Sequence, residues 1–161
     1  MSDRLRKQIA VERQQLNRLL DVHRPLLVKS ASETPTEIEI SALAAMLHSF
    51  YTGIENIFKR IAVELGDTLP AGESWHRELL DSMTAPSSAH AAVISMPLRD
   101  RLREYLRFRH VFRQAYLFQL RWDKMSSLVL ECEETLRLLE TELDDFLQAS
   151  EKADSLEDLG H

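Results

Sequence analysis

Residues 34–66, TPTEIEISALAAMLHSFYTGIENIFKRIAVELG, decide the fold class of this chain. Apolar residues recur there every three or four positions, which is the period of a helix that buries one face. This apolar stripe comprises Leu43, Leu47, Phe50, Ile54, Ile57, Ile61 and Leu65. Thr34 and Glu37 around Pro35 form the pattern of a capping box, and Gly66 provides a C-terminal stop. The stretch therefore predicts one long amphipathic helix, whose apolar face needs other elements to cover it.

Helical periodicity also dominates the rest of the sequence, and no segment alternates apolar and polar residues convincingly as a half-buried strand does. Four more helices are expected: one from residue 3 to the late twenties, and others at about 73–83, 95–120 and 123–149. Pro25 is expected to kink or shorten the first, because proline lacks the N–H that a helix interior uses. The predicted fold is an all-α antiparallel helical bundle of about five helices, with helices two, four and five as its long members.

Length and composition indicate one globular domain. The 161 residues are 44% apolar and 29% charged, which suffices to bury a core without staples. We expect residues 1–150 to form this domain and residues 151–161 to be a frayed or disordered tail. Cys132 is the single cysteine, which argues against an internal disulfide and for a reducing compartment. The sequence has neither a signal-peptide core nor an apolar run of about 18–20 residues, so we expect a cytoplasmic protein without a membrane span.

Charge is distributed unevenly along this acidic chain of net charge −6. Residues 99–124 contain eight arginines and lysines against three acidic residues, whereas residues 131–158 contain two against eleven. A basic segment in an acidic protein can attract an anion such as a phosphate backbone. Charge alone supports an ordinary solvated helix surface equally well.

The most unusual segment within this basic region is RFRHVFRQAY, residues 107–116. At about 100° per residue, Arg109, Arg113 and Tyr116 fall within about 60° of one another on a helix, and Tyr105 extends this stripe backwards. Guanidinium and phenol groups on one face suit phosphate binding and base stacking. By itself the stripe favours the simpler interpretation of an exposed face with snorkelling arginines. The side chains expected to contact RNA, if it binds here, are Arg113, Tyr105 and Arg107.

The second helix carries a polar stripe of its own, formed by His48, Tyr51 and Glu55 beside the apolar one. We expect the Glu55 carboxylate to approach Arg109 or Arg113, within a chain or across a dimer. Such a pair holds a guanidinium ready for a phosphate. An ordinary interhelical salt bridge is the simpler interpretation of the same pattern.

Other candidate residues are interpreted structurally. His23 and Cys132 lie on apolar stripes and are expected in the core or at an interface. Glu73 and His76 have the Glu-x-x-His spacing of carboxylate di-iron bundles, but those sites need two such motifs and two further glutamates. Trp75 and His76 are therefore expected to anchor the short third helix. Only one such motif is present, and the sequence also lacks a glycine-rich phosphate loop. We therefore predict no metal and no cofactor.

The segment RHVFRQAY, residues 109–116, resembles the motif Arg-polar-x-x-x-His-x-Tyr of the HEPN superfamily, and most closely that of the HepT-like ribonuclease toxins. Arg109 takes the arginine position, His110 the polar position and Tyr116 the tyrosine position. The wider frame also looks similar, including YTGIENI at residues 51–57 and SWHRELL at residues 74–80. The resemblance extends over residues 42–146.

This resemblance implies a HEPN-like bundle that acts as a homodimer, with the two motifs meeting across a twofold cleft. It implies metal-independent RNA cleavage and a minimal nucleotidyltransferase antitoxin as partner, which adds AMP to the motif tyrosine, here Tyr116. The implied catalytic positions are Arg109, His110, Gln114 and Tyr116, with Glu55 and Tyr51 in support.

One departure from the motif bears on activity, because Gln114 occupies the position of the family's histidine. Glutamine can form hydrogen bonds but cannot exchange a proton near neutral pH. His110 lies four residues earlier, about 40° away on an ideal helix, and is a candidate replacement. Three hypotheses remain: a HepT-like toxin component with impaired or His110-dependent cleavage, a non-catalytic HEPN-like module that binds a nucleotidyltransferase or RNA, and a structural bundle acting only through protein contacts.

Overall fold

The computed structural model describes residues 1–87, 90–114, 116 and 119–160 of the chain. Five helices account for most of them, and this described part contains no strand, so the prediction of an all-α bundle is confirmed. The helices are α1 (Asp3–Ser30), α2 (Glu37–Glu64), α3 (Trp75–Ser82), α4 (Met96–Gln114) and α5 (Trp122–Leu159).

The start of α2 is set by a reciprocal capping box, two residues later than the sequence analysis placed it. The Thr36 hydroxyl accepts a hydrogen bond from the Glu39 backbone N–H, and the Glu39 carboxylate accepts one from the Thr36 N–H. Thr34 and Pro35 therefore precede the helix. Both Thr-x-x-Glu frames fit a capping box in sequence, and here the later one supplies both hydrogen bonds.

Pro25 was expected to kink or shorten the first helix, and it does not shorten it, because α1 continues through Pro25 to Ser30. A proline removes one helical hydrogen bond. Residues on both sides of Pro25, including Leu20 and Leu27, are buried, and α1 packs along α2. This packing outweighs the single missing bond.

Helix α2 is the centre of the bundle, since it packs against each of the other four helices. Its predicted apolar stripe is completely buried from Leu43 to Ile61, and Leu65 at its end is partly buried. A Cβ atom at Gly53 would lie 2.7 Å from Leu16 Cδ2, so the absence of a side chain at Gly53 permits the close approach of α1. The central position of α2 places its polar stripe within reach of α3 and α4.

The ends of the later helices differ from the predicted ones. Helix α4 ends at Gln114 rather than near residue 120. Helix α5 includes residues 151–159, which the sequence analysis assigned to a frayed tail. These last turns are exposed but remain helical, and the terminal amino group of Met1 forms an ion pair with Asp154 on them.

Cys132 lies on the buried face of α5, as its apolar stripe predicted. Burial raises the pKa of the Cys132 thiol to about 12. The thiol is therefore a core group rather than a nucleophile. In the described part of the chain, no helix is both long enough and apolar enough to cross a membrane.

Candidate functional site: a buried arginine beside a basic groove

A buried ion pair between α2 and α4 lies at the centre of the candidate site. Arg109 Nη2 is 3.0 Å from Glu55 Oε2, and both side chains are only 5% exposed. Arg109 Nη1 also donates to the hydroxyl of Thr52, at 3.3 Å. The expectation that Glu55 approaches Arg109 is thus confirmed, and the contact lies within one chain.

Helix α3 adds His76 to this ion pair. His76 Nδ1 lies 2.7 Å from Glu55 Oε2 and 2.8 Å from Arg109 Nη2. A single ring nitrogen cannot donate to the carboxylate and accept from the guanidinium at once. A carboxylate offers only lone pairs, so a proton on Nδ1 lets His76 donate to Glu55, whereas a bare Nδ1 would accept from Arg109 Nη2. We assign the proton to Nδ1, because a bare Nδ1 would place its lone pair 2.7 Å from the lone pairs of the buried Glu55 carboxylate.

Aromatic rings line this cluster on two sides. The Arg109 guanidinium lies over the ring of Tyr51, 4.8 Å from its centroid. The Tyr51 hydroxyl is buried without a hydrogen-bond partner in the described part of the chain, and burial raises its pKa. The Trp75 and His76 rings pack in a tilted arrangement with their centroids 3.6 Å apart, and Lys59 Nζ lies 4.5 Å from the centroid of the Trp75 ring. The predicted anchoring role of Trp75 and His76 is consistent with these contacts.

An open groove of about 760 Å³ lies between α3 and α4, next to the cluster of Glu55, His76 and Arg109. Basic and imidazole side chains dominate its polar lining, namely His76, Arg77, Arg103, Arg107 and His110. Glu73 and Asp81 also line it, and Asp81 forms an ion pair with Arg103 at 2.9 Å. Two histidines and three arginines thus face a space large enough to admit part of a nucleic-acid strand.

Two residues of the predicted RNA-binding stripe lie elsewhere than expected. Tyr105 is in the core, where its hydroxyl donates to the carbonyl oxygen of Leu128 at 2.7 Å, so its assignment to a binding surface is wrong. Tyr116 is 70% exposed but follows the end of α4, so it does not continue the helical stripe. Arg109 shares the face of Tyr105 and is buried with it.

The remaining motif positions occupy the last turns of α4. Arg107, His110 and Arg113 are exposed there, and Gln114 is the final residue of the helix, with a side chain outside the described structure. Arg113 adds its charge to that of Arg109 near His48. Desolvation and these two cations lower the pKa of His48, which favours the neutral imidazole.

No sequence pattern indicated a functional role for Arg77, Arg103 or His76. His76 lies in the SWHRELL segment, which is part of the resemblance to the HepT-like family. Spacing along α3 alone could not show that its imidazole contacts Glu55 and Arg109. Within the described residues, no group of three or more histidine, cysteine or acidic side chains could hold a metal ion.

The helical bundle and the motif at the end of α4 are those expected of a HEPN-type module. A family model described as HepT-like protein matches residues 42–150, which is more than half of the chain. The chain therefore belongs to the HepT-like family. No curated protein and no solved structure matched it.

The buried ion pair predicts a distinctive pattern of stabilities. Replacing Arg109 by methionine leaves Glu55 buried without its main counter-charge, and we expect the free energy of unfolding to fall by about 3–5 kcal/mol. The double variant Arg109→Met, Glu55→Leu should recover much of this loss, because no unpaired charge is buried. Urea denaturation of the purified variants measures both effects.

The exposed pair of Arg24 with Asp21 serves as the control for this experiment. Arg24→Met should leave the urea midpoint almost unchanged, since solvent screens surface pairs. Equal effects of Arg24→Met and Arg109→Met would contradict the burial of Arg109.

Proposed function

We propose that the chain is the toxin component of a toxin–antitoxin pair and a metal-independent endoribonuclease that acts in the cytoplasm. The observation that carries this proposal is the groove beside the buried Arg109, which is lined by three arginines and two histidines. Arginines can hold phosphate oxygens through paired hydrogen bonds, and histidines can transfer protons near neutral pH. These are the components that cleavage of RNA without a metal requires.

The proposed reaction uses the 2′-hydroxyl of the RNA itself as nucleophile. A base removes the proton from the 2′-hydroxyl, the oxygen attacks phosphorus, and the bond from phosphorus to the 5′-oxygen breaks. The products are a 2′,3′-cyclic phosphate and a 5′-hydroxyl, whose oxygen receives a proton from an acid. His110 is suited to one of these proton transfers because it lines the groove, whereas Gln114 cannot titrate.

The arginines divide between the surface and the interior. Arg107 and Arg113 are exposed at the end of α4, and Arg103 lines the groove. Arg107 pairs with Glu104 and Arg103 with Asp81, but solvent screens such accessible pairs, so these three arginines are suited to contact phosphates. Arg109 donates to Glu55 and Thr52 instead, and direct contact with a phosphate would require it to exchange these partners. While it keeps these partners, the proposed role of Arg109 is to hold Glu55 in place beside the groove.

A non-catalytic HEPN-like module is the second candidate function. Two observations favour it: Gln114 replaces the motif histidine, and the motif arginine is saturated by partners within the chain. Such a module binds RNA or a nucleotidyltransferase partner through the same groove without turnover.

Cleavage and binding assays on RNA test the two candidates. We expect the protein to cleave a single-stranded RNA in the presence of EDTA and to leave 2′,3′-cyclic phosphate ends. Arg107→Ala should weaken binding to a non-cleavable 2′-O-methyl RNA and reduce the salt slope of log K by about 0.7–1, because one phosphate contact is lost.

Arg24→Ala removes the same charge from an exposed site that does not line the groove, and it is the matched control. Fluorescence anisotropy at several salt concentrations compares the two variants. Equal losses would show that net charge, and not the groove, governs binding. Binding without any cleavage would favour the non-catalytic module.

The glutamine at the motif position predicts a gain of function. If a titratable side chain acts at this position, Gln114→His should raise the rate of cleavage, within the range of about 10²–10⁴-fold that general acid–base catalysis supplies. If His110 already performs the transfer, His110→Ala should abolish cleavage and Gln114→His should change little. Rates that respond to neither substitution would contradict both assignments.

We further propose that the functional unit is a homodimer and that a minimal nucleotidyltransferase antitoxin transfers AMP to Tyr116. The exposure of Tyr116 beside the end of α4 supports access of a modifying enzyme. Exposed Val111 lies at the edge of the groove and could contribute to a shared cleft.

A twofold interface of this kind should bury more than about 1,000 Å² in total. Light scattering at micromolar concentration should therefore give twice the chain mass of 18.6 kDa. Val111→Glu should shift the mass towards that of one chain, whereas Val22→Glu, at an exposed valine on α1, should not. A monomer in the unmodified protein would contradict the proposed assembly.

A further inference from the structure

The orientation of His76 has a chemical consequence for the groove. We infer that His76 is the general base of the proposed ribonuclease, accepting the proton of the attacking 2′-hydroxyl on Nε2 while Glu55 holds its Nδ1–H. This inference rests on the proposed function. It assigns the proton transfer that Gln114 cannot perform to a residue of α3, outside the motif on α4.

The hydrogen bonds of His76 support this assignment. Because Nδ1 donates to Glu55 at 2.7 Å, the neutral ring carries its proton on Nδ1, and Nε2 has a lone pair. No hydrogen bond joins Nε2 to the described residues. The His76 side chain is 26% exposed and lines the groove, so Nε2 is the ring nitrogen left to meet a ligand there.

The ring is also held in a fixed position. Glu55 is buried and is itself fixed by Arg109 at 3.0 Å, while Lys59 lies 4.0 Å from its other oxygen. The Trp75 ring packs against the imidazole in a tilted arrangement, with the ring centroids 3.6 Å apart. A carboxylate that fixes the tautomer and the angle of an imidazole is the arrangement by which other enzymes prepare a histidine for proton transfer.

The proposed step balances within the groove. His76 Nε2 takes the 2′-hydroxyl proton as the 2′-oxygen bonds to phosphorus, and the ring becomes an imidazolium paired with Glu55. The bond to the 5′-oxygen breaks, and His110 donates a proton to that oxygen. His76 and His110 come from different helices and line one groove, so they can act on two sides of one phosphate.

The variant His76→Asn tests this inference. An asparagine amide retains an N–H donor near the position of Nδ1, so it can preserve the contact with Glu55, but it has no group that accepts a proton. We expect cleavage in EDTA to fall by about 10²-fold or more. His23→Asn, which alters a histidine of α1 outside the groove, should retain the full rate. Circular dichroism and thermal melting of each variant check that it is folded.

A second substrate separates the roles of the two histidines. Uridine 3′-(4-nitrophenyl phosphate) releases nitrophenolate, which needs no proton from an acid. His76→Asn should therefore remain slow on this substrate, whereas His110→Ala should recover most of the rate. If His76→Asn recovers and His110→Ala does not, the roles of base and acid are reversed and the inference is wrong.

The tautomer of His76 provides a measurement that does not depend on activity. Long-range ¹H–¹⁵N correlation spectra, recorded at a pH at which the imidazole ring is neutral, should show His76 with its proton on Nδ1 and no proton on Nε2. The opposite tautomer would overturn the inference even if His76→Asn were slow.

The outcomes distinguish this inference from the proposed function. Cleavage in EDTA that persists in His76→Asn removes His76 from the mechanism and leaves the ribonuclease intact. Failure of the unmodified protein to cleave either substrate refutes the ribonuclease and the role of His76 together.

Discussion

The ion pair between Arg109 and Glu55 is the interaction on which the architecture of the site depends. Two charges that are almost completely removed from water are tolerated only when each is closely paired and hydrogen-bonded. Glu55 meets this requirement by contacting Arg109 and His76 together, and Arg109 does so through Glu55 and Thr52. The pair therefore fixes the register of α4 on α2 and gives α3 a defined position.

Much of the fold follows from local properties of the sequence. The apolar stripe of α2 predicted a long helix with one buried face, because the 3.6-residue period does not depend on how the neighbouring helices are arranged. Local rules were less reliable at helix ends. Two overlapping Thr-x-x-Glu frames compete for the start of α2, and Pro25 does not end α1, which packs along α2. Such outcomes depend on contacts that a local pattern does not contain.

The candidate site shows the same division. The angular argument placed Tyr105 and Arg109 on one face of α4, and they do share a face, but that face is turned inward. Periodicity gives relative directions and cannot show whether a polar stripe meets water or a buried carboxylate. Glu55 was anticipated because its charge and its position on the central helix required a partner. His76 was not, because its contacts come from two other helices.

The short length of α3 has a consequence for when the site comes into existence. A helix of eight residues is unstable alone in water, so α3 forms only while it is docked on α2 and α4. Its histidine lies 21 residues from Glu55 and 33 from Arg109 along the chain. Bringing such distant residues together costs conformational entropy before any contact between them stabilises the fold. During synthesis the cluster therefore cannot be completed until α4 has been made, because Arg109 follows Glu55 by 54 residues.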